Sequence, residues 1–254
     1  MSLLIQPPFP PMEALLVEKI PEGEHWQYEP KWDGFRCIAF RDGDSVELQS
    51  KSGQPLARYF PEVVANLLAL APPRFVLDGE IVIPVGKGFS FDDLLQRINP
   101  AESRVRKLTK EFPATLIVFD LLVDEKGQSL AGEPLSVRRP KLEAFASKHF
   151  ARNPAIVLSP ATTDAAAAKK WLAGVGLTLD GIVAKRLDLP YRSGDRTGMQ
   201  KVKLMRTADC VVGGFRYGTN SKPSAPCCSA STTATACSTT SGSARALPPL
   251  KRRT

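Results

Sequence analysis

The stretch E-P-K-W-D-G-F-R at residues 29–36 decides the fold and the chemistry expected of this chain. Side chains two apart share one face of a strand, so Glu29, Lys31 and Asp33 could converge there. A lysine held in such a place acts as a nucleophile if its pKa is lowered or a base assists it. The glycine allows a tight turn or a close approach to phosphate, and Arg36 offers a fork for phosphate or ribose. The alternative interpretation is a surface turn with mixed charges.

Strand patterns surround this stretch, with the turn sequence Asp42-Gly43 inside the alternation of residues 26–49. Further strands are predicted at 74–83, 115–123, 181–185 and 210–215. Helices are predicted at 61–70, at 91–98 with Ser90 as cap, at 137–149 and at 164–173. The Pro-rich first 25 residues are expected to lie extended over the core. Because strands and helices mix without a regular βαβ rhythm, we expect an α+β fold with mostly antiparallel sheets.

The composition excludes several classes of protein. The chain has 254 residues, 43% of them hydrophobic, which suffices for one large core or two modest domains. No apolar stretch reaches eighteen residues, and the start lacks the basic and cleavage regions of a secretion signal. The five cysteines form no C-x-x-C pair, and two histidines offer little for a His-centred triad. A cytoplasmic location without a membrane span is therefore expected.

The net charge of +8 does not by itself indicate a nucleic-acid partner. Residues 210–254 hold six basic side chains and no acid, so the rest of the chain is nearly balanced. A DNA-binding face would have to come from local clusters such as Arg104, Arg106, Lys107 and Lys110. A solvated basic loop explains that cluster equally well.

Four further segments could carry chemistry. The D-G-E at 78–80 is expected to end one strand and begin another. A carboxylate of this segment could hold a ribose hydroxyl or Mg²⁺. An ordinary turn is the alternative. Within V-F-D-L-L at 118–122, Phe119 could stack on a base or simply pack in the core. The segment D-G-I-V-A-K-R at 180–186 places an acid before an apolar strand, and K-V-K at 201–203 directs two ammonium groups to one face. The second pattern suits a triphosphate or a solvated strand edge.

In their order, these five segments resemble the nucleotidyltransferase motifs of ATP-dependent DNA ligases, in particular the bacterial repair-type enzymes. The flanks P-P-M-E-A-L at 10–15, R-Y-F-P-E at 58–62 and R-T-A-D at 206–209 match as well. The resemblance implies a nucleotidyltransferase (adenylation) domain of the ATP-grasp-like ligase type, followed by an OB-fold β-barrel. RNA ligases and mRNA capping guanylyltransferases share K-x-D-G and remain alternatives. A non-catalytic nucleotide- or DNA-binding remnant and a generic α+β scaffold are the others.

The resemblance also implies roles for single residues. Lys31 would attack the α-phosphorus of ATP and form lysyl-AMP. Glu29 would face the adenine amino group, and Phe119 would stack on the base. The remaining assignments are Arg36 to ribose or the DNA 5′-phosphate, Glu80 to ribose or a metal, Asp180 to Mg²⁺, Lys201 and Lys203 to the phosphates, and Lys51 and Lys185 to the cofactor. AMP would then pass to the 5′-phosphate of a nick, which the 3′-hydroxyl seals.

This resemblance implies ATP and Mg²⁺ as cofactors, nicked double-stranded DNA as partner, a monomer, and a role in DNA repair or recombination. Two positions depart from the family pattern. Lys51 stands where an arginine is usual, which keeps the charge but loses the bidentate fork. Asp180 stands where glutamate is frequent. Neither change is expected to abolish nucleotide binding.

The domain boundaries are predicted as adenylation domain 1–206, the start of an OB fold 207–222, and a disordered tail 223–254. The tail is rich in Ser, Thr, Ala, Cys and Pro and lacks strand alternation. We interpret it as the product of a reading-frame shift near residues 221–224. With GC-rich codons, the neighbouring frame can encode LLLGLYDGDGLLDHVGLG, which has the alternation and turn of a β-hairpin. ATP binding, weak self-adenylation and poor nick sealing are the expected consequences.

Overall fold

The computed structural model describes residues 3–98, 101–173 and 179–203, together with the strand residues 212–214 and 228–229. The chain divides into two compact units, Met1–Leu204 and Met205–Thr254. The second unit contains one described antiparallel strand pair. The boundary predicted after residue 206, and most of the predicted OB segment and tail, lie outside the described residues. Those divisions remain predictions, as does the frame shift.

The described residues contain short strands and helices that alternate irregularly along the chain. The strands are β1 (Leu15–Leu16), β2 (Trp26–Lys31), β3 (Phe35–Asp42), β4 (Ser45–Ser50), β5 (Arg74–Val82), β6 (Pro84–Val85), β7 (Gly88–Phe89), β8 (Thr115–Val123), β9 (Ile156–Leu158), β10 (Gly181–Arg186), β11 (Met199–Val202), β12 (Val212–Gly214) and β13 (Cys228–Ser229). The helices are α1 (Pro61–Leu68), α2 (Phe91–Leu95), α3 (Glu102–Glu111), α4 (Leu135–His149) and α5 (Ala165–Ala173).

A five-stranded sheet in the order β4-β3-β5-β8-β9 forms the middle layer of the first unit. Its central strands β3, β5 and β8 are buried on both faces, which explains the nearly unbroken apolar sequence of β8. One face, with Cys37 and Ala39 of β3, joins a core that includes α1 and α4 residues such as Leu67 and Phe145. The opposite face, with Ile38 and Phe40, packs against the N-terminal segment and β11. Alternate residues of one strand thus serve two cores.

A second sheet, in the order β1-β11-β10-β2, carries the lysine-bearing stretch at the end of β2. Tyr28, Ile182 and Ala184 pack on its outer face against Ala168 of α5. Among the described strands, only the β1–β11 and β8–β9 pairs are parallel. The expectation of an α+β fold with mostly antiparallel sheets is confirmed.

The segment of residues 9–14, which we call the N-terminal strap, ties the two sheets together. Gln49 of β4 exchanges two hydrogen bonds with the backbone of Phe9, at 2.8 and 2.7 Å. On the other side, Glu13 N donates to the carbonyl of Asp195 in the β10–β11 loop at 2.8 Å. Leu3, Ile5 and Met12 are buried. The expectation that the N-terminal residues lie extended over the core is confirmed.

Most element predictions hold, with ends shifted by a few residues. The turn at Asp42-Gly43 is present, with Gly43 at φ +63°, and Ser90 caps α2 by accepting a hydrogen bond from Asp93 N at 3.2 Å. Helix α1 ends two residues earlier than expected, and α2 ends at Leu95. Helix α4 begins two residues earlier than expected.

Two interpretations of local structure were wrong, and one strand of the large sheet was missed. The basic cluster at 104–110 lies on helix α3 and not in a loop, because Val105 and Leu108 are spaced to bury one face. Strand β9 was not predicted. Asp78-Gly79-Glu80 neither ends nor begins a strand, since it lies inside β5, where the register against β8 shifts between Asp78 and Gly79. Across the described residues, no helix has the length and apolar character needed to span a bilayer.

Candidate functional site

A cavity of about 190 Å³ opens between the two sheets of the first unit. Its walls come from the strap, β2, β3, β5, β8, β10 and β11. The lining side chains are Pro11, Met12, Glu13, Ala14, Glu29, Pro30, Lys31, Trp32, Arg36, Lys51, Glu80, Phe119, Val183, Lys185, Met199 and Lys201. Its lining combines apolar and aromatic surface with a small set of charged groups, which is typical of ligand-binding cavities. The structure thus brings together every predicted site residue except Asp180 and Lys203, which adjoin Lys31.

Lys31, the predicted nucleophile, lies at the last position of β2, where β10 pairs with it. Its Nζ lies 2.6 Å from Asp180 Oδ2. Lys203 Nζ approaches the same oxygen at 2.6 Å. Burial alone would raise the pKa of Asp180, but the bonds from Lys203 and Lys31 hold it below its ordinary value. One carboxylate therefore holds two ammonium groups together at the cavity wall.

Gly181 is what allows this arrangement, because its φ is +150° and a Cβ would meet the carbonyl oxygen of Val202. The close packing of β10 on β11 thereby sets Asp180 beside Lys203. Asp33, in contrast, lies beyond the end of β2, is exposed, and does not line the cavity. Of the three side chains expected to converge, Glu29 and Lys31 line the cavity. Asp33 follows the end of the strand outside the lining, yet partial burial and the charge of Asp180 raise its pKa against the effect of Lys31 and Lys203.

The deep end of the cavity is built around the buried carboxylate of Glu29. Lys185 Nζ lies 2.8 Å from Glu29 Oε2, and Gln27 Nε2 donates to Oε1 at 2.8 Å. Lys185 Nζ also lies 4.6 Å from the centre of the Phe119 ring and donates to the Phe119 carbonyl at 3.3 Å. Arg139 Nη1 is buried, makes no hydrogen bond, and lies 3.9 Å from Glu29 Oε1. Lys185 therefore fixes an acceptor and an aromatic ring beside each other.

Arg36 and Glu80 form the opposite wall, where β3 pairs with β5. The guanidinium of Arg36 is held by two hydrogen bonds from Nε and Nη2 to the buried Asp78, and it lies 4.5 Å from the centre of the Phe119 ring. Burial raises the pKa of Glu80 to about 7, although Arg36 and Lys31 act in the opposite direction. Glu80 is therefore a carboxyl group poised to change charge near neutral pH.

The mouth of the cavity is rich in cations. Burial, together with the charges of Lys31 and Lys203, lowers the pKa of Lys201. No ion-pair partner of Lys201 occurs within the described residues. Lys51 is paired at 3.0 Å with Glu13 of the strap. Such a concentration of positive charge suits a polyphosphate.

The predicted Mg²⁺ position offers two carboxylates as ligands, those of Glu80 and Asp180. Within the described part of the chain, no group of three or more His, Cys, Asp or Glu side chains could hold a metal ion. Mg²⁺ commonly uses one or two carboxylates together with substrate phosphates and water. Two carboxylates beside a cation-rich cavity fit an ion that arrives with phosphates.

Sequence reasoning missed several lining residues. The strap residues, Trp32, Val183 and Met199 line the cavity without having been singled out. The strap was recognised only as part of a flanking pattern. Trp32 is held by its Nε1, which donates to Ser159 Oγ at 3.0 Å, and by an edge contact with Phe89. No local sequence pattern reveals such partners, because they are distant in the chain.

Residues 11–203 match a protein family described as "ATP dependent DNA ligase domain". DNA ligase C of Mycobacterium tuberculosis is 47% identical over 218 residues, which cover 85% of this chain and 60% of that protein. DNA ligase C2 of Mycolicibacterium smegmatis is 47% identical over 217 residues, with 85% and 59% covered. The chain thus spans about 60% of the length of these curated relatives.

The fold is similar to a solved structure described as mycobacterial DNA ligase D complexed with ATP and MES. The TM-score is 0.57 at 25% sequence identity, and the match covers 80% of this chain and 64% of the other. The similarity extends over most of the described residues.

Proposed function

The chain belongs to the ATP-dependent DNA ligase family, and we propose that its cavity transfers AMP from ATP to Lys31. One observation carries this proposal: the Lys31 amine lies at the wall of the cavity between the two sheets, beside a carboxylate and two further lysines. A relative in the same family has been solved with ATP. Mixed α+β architecture is shared with that structure, and assignment to the ATP-grasp-like type belongs to the proposal.

The proposed step is an in-line displacement at the α-phosphorus. The Lys31 ammonium loses a proton to solvent, and its nitrogen forms a P–N bond. The P–O bond to the β-phosphate breaks, and pyrophosphate leaves with the electron pair. Because the pKa of Asp180 is lowered, Asp180 serves as a charge partner that orients Lys31 rather than as the proton acceptor.

Positioning and charge neutralisation supply the rest of the catalysis. Lys201, Lys203 and Lys51 are assigned to the phosphates, because they surround the mouth of the cavity next to Lys31. Mg²⁺, when bound with the nucleotide near Glu80 and Asp180, would neutralise further phosphate charge.

The adenosine part is assigned to the deep end of the cavity. Phe119 offers a ring to the base, and Glu29 offers an acceptor to its amino group. Lys185 supports both through its contacts with Glu29 and with the ring. Glu80 and Arg36 lie where ribose hydroxyls could be bound.

The later steps extend the proposal to nicked double-stranded DNA. AMP would pass to the 5′-phosphate, and the 3′-hydroxyl would displace it, in DNA repair or recombination by a monomer. The OB-fold remnant assigned to 207–222 would normally assist in holding DNA. If the frame shift is genuine, adenylation should persist while sealing is poor.

The decisive experiment is incubation of the full chain with α-labelled ATP and Mg²⁺, followed by a denaturing gel and peptide mass spectrometry. We expect one adenylate on Lys31, and none in Lys31→Ala. Lys169→Ala is the matched control, because that lysine forms an equally short 2.6 Å ion pair with Glu22 outside the cavity. ATP binding without any adduct at position 31 would favour the non-catalytic remnant.

Nucleotide and substrate choice separate the remaining alternatives. A DNA ligase should form the adduct with ATP and transfer AMP to a nicked DNA duplex. Adduct formation with GTP would point to a capping-type enzyme, and transfer to RNA ends would point to an RNA ligase. Robust sealing of nicked DNA would contradict the truncated OB domain.

A further inference from the structure

The carboxylate of Glu13 bridges two exposed cations at the mouth of the cavity. Its Oε2 lies 3.0 Å from Lys51 Nζ and 3.1 Å from Arg196 Nη2. The side chains of Lys51 and Arg196 are 57% and 64% exposed, and that of Glu13 is 26% exposed. A solvent-exposed ion pair of this kind contributes little to the stability of the fold, so either partner can be replaced readily by another charged group.

Two other acid–base pairs of the first unit are buried instead. Asp78, which holds Arg36, has no exposed side-chain surface, and Asp120 and Arg138 are both almost fully buried. Buried pairs of this kind are costly to break, so they persist when a ligand enters. The Glu13 bridge is therefore the exchangeable one of the three.

Glu13 also lies where the cavity adjoins a second groove on the surface. Glu13 and Lys51 line both the cavity and a neighbouring groove formed with Ser50, Ser52 and Ile98. Around the mouth, Lys31, Lys51, Lys201, Lys203 and Arg196 face two bridging carboxylates, Asp180 and Glu13. The positive charges of Lys51 and Arg196 both contribute to the lowered pKa of Lys201, so the three side chains interact electrostatically.

We propose that Lys51 and Arg196 form a phosphate-binding subsite whose resting occupant is the Glu13 carboxylate, which an incoming phosphate must displace. The inference deepens the proposed function, on which it rests, because it assumes that phosphate enters this cavity. Glu13 thereby determines how tightly phosphate binds. The phosphate could belong to the nucleotide or to a DNA 5′-end.

The backbone at Glu13 is held independently of its carboxylate. Glu13 N donates to Asp195 O at 2.8 Å, and Ser193 Oγ donates to Pro10 O at 2.6 Å. Tyr191 Oη accepts from Met12 N at 2.9 Å. Glu13→Gln should therefore remove the charge and leave the strap in place.

The test measures binding to the full chain by calorimetry. Inorganic pyrophosphate is the anionic probe, and adenosine is the probe without charge. In Glu13→Gln, pyrophosphate should bind at least about fivefold more tightly, since one repelling charge is gone and two cations are released. Adenosine affinity should not change. Glu22→Gln is the matched control, because Glu22 pairs with Lys169 away from the cavity, and it should change neither affinity.

A second arm compares nicked duplexes carrying a 5′-phosphate or a 5′-hydroxyl. Tighter binding of pyrophosphate alone assigns the subsite to the nucleotide, and a gain confined to the 5′-phosphorylated duplex assigns it to DNA. Equal or weaker binding of both anions by Glu13→Gln would overturn the proposal, as would loss of adenosine binding. Neither arm requires adenylate formation, so a failure of the proposed activity is recognised separately.

Discussion

Arg36 and Asp78 are joined by two hydrogen bonds, from Nε and Nη2 to the two carboxylate oxygens, each 2.6 Å long. Asp78 has no exposed side-chain surface. The hydroxyl of Tyr191 donates to Asp78 Oδ2 at 2.6 Å and accepts from Met12 N. The strap, β3, β5 and the β10–β11 loop therefore meet at one buried carboxylate. That carboxylate also sets where the Arg36 guanidinium lies against the Phe119 ring.

Asp78→Ala should lower the free energy of unfolding by about 3–5 kcal/mol, because it removes the buried carboxylate that pairs with the Arg36 guanidinium and accepts from the Tyr191 hydroxyl. Chemical denaturation of the full chain measures the loss. Asp42→Ala is the comparison, since its pair with Arg74 at 2.8 Å is well exposed and should contribute at most about 1 kcal/mol. Equal losses in the two variants would contradict the structural role given to Asp78.

The raised pKa of Glu80 predicts a particular dependence of stability on pH. Between 4.5, the ordinary value, and about 7, the folded chain keeps a proton that the unfolded chain has released. The free energy of unfolding should therefore fall as pH rises through this range and level off above it. Glu80→Gln removes the contribution, so its stability relative to wild type should grow from pH 5 to pH 7. A difference that stays constant with pH would contradict the burial of this carboxyl.

Gly181→Ala should cost at least about 3 kcal/mol, because the new Cβ would meet the Val202 carbonyl and φ is +150°. Since Asp180 and Lys203 are set by the same strand pairing, adenylate formation should fall together with stability. Gly43→Ala is the matched control. Its φ is +63°, but nothing lies within 4 Å of the added carbon, so about 1 kcal/mol is expected. Similar thermal midpoints for the two variants would be the contrary result.

Asp180→Asn should separate activity from stability. The pair with Lys31 is partly exposed, at 21% and 27%, so the free energy of unfolding should change by at most about 1 kcal/mol. Adenylate formation, measured by the labelled-ATP assay, should slow at least about tenfold, since two ammonium groups lose their common partner. Asp188→Asn, which removes the exposed partner of Arg186, should leave both quantities unchanged. Normal adenylation by Asp180→Asn would refute its orienting role.

The local parts of this structure could be predicted from sequence because they depend on short periods. Alternation around Asp42-Gly43 gives the β3–β4 hairpin, and the apolar run of β8 gives a doubly covered strand. Most cavity residues that belong to the five recognised segments were also found, the exceptions being Pro30, Trp32 and Val183. The neighbouring residues in each segment supply the pattern that identifies the others.

The parts that could not be predicted depend on partners distant in the chain. Gly79 looks like a turn residue, yet it lies inside β5. Glycine is needed there because a Cβ would lie 2.5 Å from the Ile117 carbonyl oxygen of β8. Helix α3 buries only two residues, so its polar sequence resembles a loop. Glu13 belongs to no periodic pattern in the sequence. Its partners Lys51 and Arg196 are distant from it and from each other in the chain.

The pairing of Leu15 with Gln200 and of Leu16 with Lys201 has a consequence for biosynthesis. A nascent chain cannot seat its first strand until the last strand of that sheet has left the ribosome. The five-stranded sheet can form earlier, whereas the walls that hold ammonium groups close together are completed at the end. During translation, the cavity can therefore be completed only after residues 199–203 have been synthesised.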